Sequence, residues 1–219
     1  MLLAIDTSSD ESGIALYDAS GVLAECAWRS GRRHAEQVLP TIELLMRHLE
    51  ATPSELEAVA VATGPGSWSG LRVGMSLAKA MAAASELPIL GVPTLDILAY
   101  AQRDADLTIL ALVRLGRDRY GAAKYEPSGD LPRRLGPIRN LGADEWDSFH
   151  GPLLVCGEVD APARAYWSGR ASEAIVLDGM RNVRRPAALA ELAWRRLQAG
   201  EADDLVSLEP MYLGNPVRG

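Results

Sequence analysis

Apolar and polar positions along the chain fall into short blocks whose period changes several times. Leu2 to Asp6 is an apolar run ending in the polar cluster Asp6-Thr7-Ser8-Ser9, as a strand stopping in a turn does. Two further apolar runs, Gly13 to Tyr17 and Val22 to Trp28, are joined by the hairpin-like Asp18-Ala19-Ser20-Gly21. Three consecutive antiparallel strands are therefore expected. The period then becomes helical over Arg33 to Glu50, where Ala35, Val38, Leu39, Ile42, Leu45, Met46 and Leu49 share one broad face. Leu44 points the opposite way, and Pro40 should remove a hydrogen bond or mark a kink. Ala58 to Thr63 is continuously apolar, a strand buried on both faces. It runs through Gly64-Pro65-Gly66-Ser67-Trp68-Ser69-Gly70 into a second helix ending near Ser85. A strand over Ile89 to Val92 and a helix from Thr94, its cap, to Gln102 follow.

The second half repeats the theme. Strands are expected over Leu107 to Leu115, Tyr120 to Tyr125, Leu153 to Cys156 and Ala174 to Leu177. Helices are expected over Ala161 to Trp167 and Pro186 to Ala199, with a Pro- and Gly-rich segment from Glu126 to Gly142. Alternation of strands and helices after an initial meander predicts an α/β protein with mixed sheets covered by helices. A boundary near residue 103 divides it into an N-terminal lobe, 1–103, and a C-terminal lobe, 104–219, whose tail can pack back on the first.

The second helix is unusual. Between Leu71 and Ala84 its strongly polar residues are Arg72, Ser76 and Lys79, on one narrow stripe. Val73, Gly74, Met75, Leu77, Ala78, Ala80, Met81 and Ala82 occupy the remaining faces. A helix lying on a sheet needs one apolar stripe, so this helix calls for cover on a second side. That cover is a neighbouring helix of the same chain or another subunit, and a central core helix has the same composition. Small residues permit close helix approach, and the stray Leu44 on the preceding helix favours a partner. The expected partner surface comprises His34, Val38, Ile42, Leu45, Val73, Leu77 and Met81.

A net charge of −7 argues against independent nucleic-acid binding, which needs clustered cations to neutralise phosphates. Arg181, Arg184, Arg185, Arg195 and Arg196 lie close in sequence and read better as a solvated helix face beside a loop than as a nucleic-acid surface. Cys26 and Cys156, far apart and within apolar runs, read as buried thiols of a reducing compartment. The first residues lack the basic and long apolar stretches of a signal peptide, and no run approaches the roughly 20 apolar residues of a membrane span. A cytoplasmic location is expected.

Two segments could carry chemistry. Asp6, Thr7 and Ser8 after a buried strand can offer N–H groups and hydroxyls to phosphates, with the Asp near a metal-bound water; they fit an Asx turn equally well. Gly64 and Gly66, in Gly64-Pro-Gly-Ser-Trp-Ser-Gly-Leu-Arg-Val-Gly74, precede a helix N-terminus that could receive an anion. Alternatively, these glycines permit close packing of helix on sheet. The segment matches neither a phosphate-loop nor a dinucleotide pattern. His34, His48 and His150 offer no pair spaced i, i+4, and no Gly-x-Ser-x-Gly elbow occurs, so no catalytic residue and no metal ligand is assigned.

Taken together, Ile5-Asp6-Thr7-Ser8, His34-Ala35-Glu36-Gln37-Val38-Leu39-Pro40 and the Gly64–Gly74 segment resemble the TsaB family, also called YeaZ. The family usually has Phe-Thr where this chain has Trp68-Ser69. The resemblance is closest over about residues 1 to 100, with Val155 to Glu158 and Pro210-Met211-Tyr212-Leu213 also similar to family features. Arg114-Leu115-Gly116-Arg117 departs from the Asp-Ala-Arg-type segment usual there. The resemblance implies an actin-like ATPase (ASKHA) fold of two related lobes. It also implies a non-catalytic dimerisation subunit of the complex that places threonylcarbamoyl on tRNA adenosine next to the anticodon. The implied partners are a TsaD-like catalytic subunit and a TsaE-like ATPase, with a homodimer when alone and tRNA reached only through the complex. No cofactor is implied for the chain alone; ATP or ADP would sit at a subunit interface. TsaD carries a His-x-x-x-His metal pair where this chain has Thr94 and Leu98, so no metal is expected. The alternatives are an actin-like ATPase or transferase acting itself through Asp6, Thr7 and the glycines near Gly64, or a glycoprotease-like peptidase.

Overall fold

The computed structural model describes residues 1–116, 118–170 and 173–213; Arg117 of the divergent segment lies outside them. The chain forms two compact units, Met1–Ile97 with Arg185–Met211, and Leu98–Arg184 with the tail from Tyr212.

In the first unit β1 (Leu2–Asp6), β2 (Glu11–Asp18) and β3 (Gly21–Arg29) form the expected antiparallel meander. Then come α1 (His34–His48), β4 (Ala58–Gly64), α2 (Trp68–Ala84) and β5 (Ile89–Pro93). The sheet order is β3-β2-β1-β4-β5, with β4 parallel to both β1 and β5. All seven residues of β4 are buried, as its unbroken apolar run requires, because helices cover both sides of the sheet. One side carries α1 and α2, packed on a core of Leu3, Ile5, Ile14, Val38, Ile42, Val59, Val61 and Met75. On the other side lies α5 (Pro186–Gln198), crossing all five strands. Glu25 on β3 holds the start of α5 through Ala187 N–H at 2.9 Å and Arg185 Nη2 at 2.9 Å. Helix α1 runs on through Pro40. A short α3 (Thr94–Tyr100) follows β5. Thr94 is its first residue rather than a cap, and among the described residues its buried hydroxyl makes no hydrogen bond.

The second unit contains β6 (Thr108–Gly116), β7 (Arg119–Glu126), β8 (Arg133–Gly142), β9 (Leu153–Gly157), α4 (Ala161–Ser168) and β10 (Ala174–Val176). Its order, β8-β7-β6-β9-β10, and its parallel and antiparallel pairings repeat those of the first sheet strand for strand. Trp146, Trp167, Tyr120 and Phe149 fill its core. The Pro- and Gly-rich segment, to which no strand was assigned, contains a ten-residue strand. As the sheet's edge, β8 tolerates the missing N–H of Pro137, and an irregularity at Gly136 (φ +86°) takes up the break in register opposite Ala122–Lys124.

Candidate functional site

The two segments singled out for chemistry come together at the carboxyl ends of β1 and β4. Asp6, Thr7 and Ser8 are all buried. One oxygen of Asp6 accepts from Ser8 N at 2.9 Å and Ser8 Oγ at 2.6 Å, an Asx turn. Ser67 N–H, in the glycine loop, donates to Ser8 O at 2.8 Å, and Thr7 Oγ1 donates to Gly70 O at 2.7 Å. Ser67 in turn caps α2, its Oγ accepting from Gly70 N at 3.3 Å. A Cβ at Gly66 would stand 2.0 Å from Ser8 O, and one at Gly74 2.3 Å from Thr7 Oγ1. Gly64 (φ +102°) closes on Met211, whose N–H donates to Thr63 O at 2.7 Å. The N–H groups of Ser8, Ser67 and Gly70 are thus committed inside the chain, and the glycines serve the contact of helix with sheet. Among the described residues no three His, Cys, Asp or Glu gather as a metal site.

The proposed partner residues divide into two sets. Val38 and Ile42 are 1% and 2% exposed and belong to the core beneath α1; His34 is also buried. These three face the chain's own sheet. Leu45, Val73, Leu77 and Met81 are half-buried. Beside them Leu39, Leu44 and Trp68 are 44%, 45% and 49% exposed. The inner face of α2 is Gly70, Leu71, Gly74, Met75, Ala78 and Ala82, so the cover for its second side is only partly supplied by this chain. Arg72 lies over the Trp68 ring, its guanidinium carbon 3.4 Å from the centroid.

His34 belongs instead to a polar cluster that spacing alone did not reveal. Its Nδ1 is 2.8 Å from Ser12 Oγ on β2 and 3.3 Å from Ser30 Oγ after β3. Burial holds its pKa below the ordinary histidine value, against the opposing pull of Asp10 and Asp6. Most of the C-terminal arginine group is engaged with acids. Arg184 is buried beside Glu158, Arg185 pairs with Glu25, Arg195 with Glu191, and Arg196 with Asp203 and Glu201. Cys156 is buried, its thiol pushed up to about 12 by desolvation, whereas Cys26 on edge strand β3 is only half-buried. No helix among the described residues is long and apolar enough to cross a membrane.

A family model described as TsaD, tRNA N6-adenosine threonylcarbamoyltransferase, matches residues 14–130. The chain is 33% identical to the tRNA threonylcarbamoyladenosine biosynthesis protein TsaB of Escherichia coli (strain K12), over 99% of this chain and 95% of that one. The chain belongs to the TsaB family. Consistent with membership of TsaB, its fold matches a crystal structure from Pseudomonas aeruginosa described as an uncharacterized protein with similarity to peptidase YEAZ. The TM-score is 0.82, with 25% identity covering 97% of this chain and 99% of that chain. The two-lobe α/β architecture is the actin-like ATPase fold. It is shared with the activator of 2-hydroxyisocaproyl-CoA dehydratase from Clostridium difficile, solved with bound ADPNP, at a TM-score of 0.55 and 11% identity over 93% and 98% of the two chains. At that identity the likeness concerns the fold alone.

Proposed function

We propose that this TsaB-family chain is a non-catalytic subunit of the apparatus that forms N6-threonylcarbamoyladenosine in tRNA next to the anticodon, and that it binds a TsaD-type catalytic subunit through α1 and α2. The observation carrying this reading is the half-covered apolar stripe Leu45, Val73, Leu77 and Met81, flanked by exposed Leu39 and Leu44. Helices that bury further apolar area there gain roughly 25 cal/mol for each Å² removed from water. The small outer residues Ser69, Ser76, Ala80 and Ala83 let a partner helix approach closely. In this reading a TsaE-type ATPase completes the complex, tRNA is reached through the assembly, ATP or ADP sits at a subunit boundary, and the chain alone pairs with a second copy through the same face. The paired arginines and the acidic net charge support an indirect contact with tRNA.

Co-purification of the full chain with a TsaD-type subunit tests the proposal. The double variant Leu77→Glu, Met81→Glu would bury two unpaired carboxylates, and affinity should fall at least about 100-fold, since an uncompensated buried charge costs about 3–5 kcal/mol. Because both residues touch the core, Leu44→Glu on the exposed side of α1 serves as a second variant, with its fold checked by thermal unfolding. Full affinity in both variants would refute this surface.

A further inference from the structure

Ser30, Ser12 and His34 form a line at the root of α1. Ser30 Oγ donates to Ser12 Oγ at 2.6 Å, leaving the Ser12 proton for His34 Nδ1 at 2.8 Å. With Nδ1 as the acceptor of that proton, the ring is neutral and carries its own proton on Nε2. All three side chains are buried. They join three elements: Ser12 sits in β2, Ser30 directly follows β3, and His34 is the first residue of α1. The backbone closes the same corner, as Asp10 O accepts from Ser30 N at 3.0 Å and Gly31 N at 2.9 Å.

We propose that this hydroxyl chain ending on a buried imidazole is an acid-sensitive lock on the first turn of α1, and through it on the partner face, a step that rests on the function proposed above. A proton arriving on Nδ1 turns the acceptor into a donor. Ser12 Oγ would then receive from both Ser30 and His34, and its own proton would have to leave the chain. The new charge would lie in an enclosed site at the positive end of the α1 dipole. Asp10, from the turn before β2, and Asp6, from the end of β1, favour the imidazolium by their charge, and the Gly31 backbone favours it by a hydrogen bond. Desolvation outweighs them and keeps the folded-state pKa below the unfolded value of 6.5. The opened state consequently binds the proton more tightly. The stability that the lock gives is complete above pH 6.5 and is lost as pH falls through that value toward the folded pKa.

Hydrogen exchange of the full chain alone, at pH 7.5 and 5.0 and corrected for intrinsic rates, reads the lock without any partner. Protection of the first α1 amides should fall by up to about 30-fold, the most that a group with an unfolded pKa of 6.5 can exert over that interval. His34→Asn, whose amide oxygen can stand near the place of Nδ1, should remove this fall. Equal pH dependence in the two proteins overturns the lock. So does an imidazole NMR signal, assigned to His34 by its loss in the variant, that titrates at or above pH 6.5. Affinity for the TsaD-type subunit is measured in parallel. Unchanged affinity while α1 loosens overturns the link to the partner face. Absence of binding at every pH would sink the proposed function while the exchange data still judge the lock.

Discussion

At Gly70 a single methyl group would stand 2.0 Å from Thr7 O, a backbone atom that cannot turn aside. Gly70→Ala should therefore push α2 off the end of β1 and cost about 1–3 kcal/mol, the usual range for overpacking. Urea unfolding measures this directly, and a variant as stable as the parent would show that the loop yields. The buried thiol of Cys156, raised to about 12, should resist alkylation at pH 8 in the native chain and react on unfolding in urea. In the sequence, the meeting of Asp6-Thr7-Ser8 with Gly64–Gly70 was legible as two turn-forming segments. Their mutual contact was not, because a glycine that admits an anion and one that admits a carbonyl look the same in one dimension. The burial of His34 was not legible for a related reason. Periodicity shows that residues 34, 38 and 42 share a face with Leu45. It does not say which edge of that broad face meets the chain's own sheet.

Among the elements, α2 carries more apolar surface than one sheet covers, and its Val73, Leu77 and Met81 are half-buried. The strand β8 was hidden by Gly136 and Pro137, which an edge position makes harmless. Helix α5 was placed correctly in sequence, but its packing against all five strands of the first sheet depends on contacts far along the chain, such as Glu25 with Ala187. Glu25 supplies a carboxylate to a helix whose N-cap, Arg185, makes no capping bond with its own side chain. Glu25→Ala should cost about 1–2 kcal/mol, combining a lost cap and a partly buried ion pair. Glu25→Gln should recover part of this by still accepting from Ala187 N–H. Thermal unfolding of the two variants checks the order, and equal melting temperatures would contradict it.

For the molecule as a whole, the repeated strand order 3-2-1-4-5 in both units explains why one pattern of meander, helix and parallel strands occurs twice in the chain. The second copy was harder to read because its helical segments are shorter and its meander ends in the irregular β8. The two-lobe fold followed from the family resemblance more than from periodicity. Sheet and core are closed by the chain itself, while the α1–α2 face is closed only in part, and on that difference the functional account depends. Side-chain footprinting by carbene labelling, with and without a TsaD-type subunit, tests it most directly. Labelling of Leu39, Leu44, Leu77 and Met81 should drop on mixing, while exposed Ile175 on β10 keeps its labelling. Unchanged labelling along α1 and α2 in a complex that nevertheless forms would contradict it.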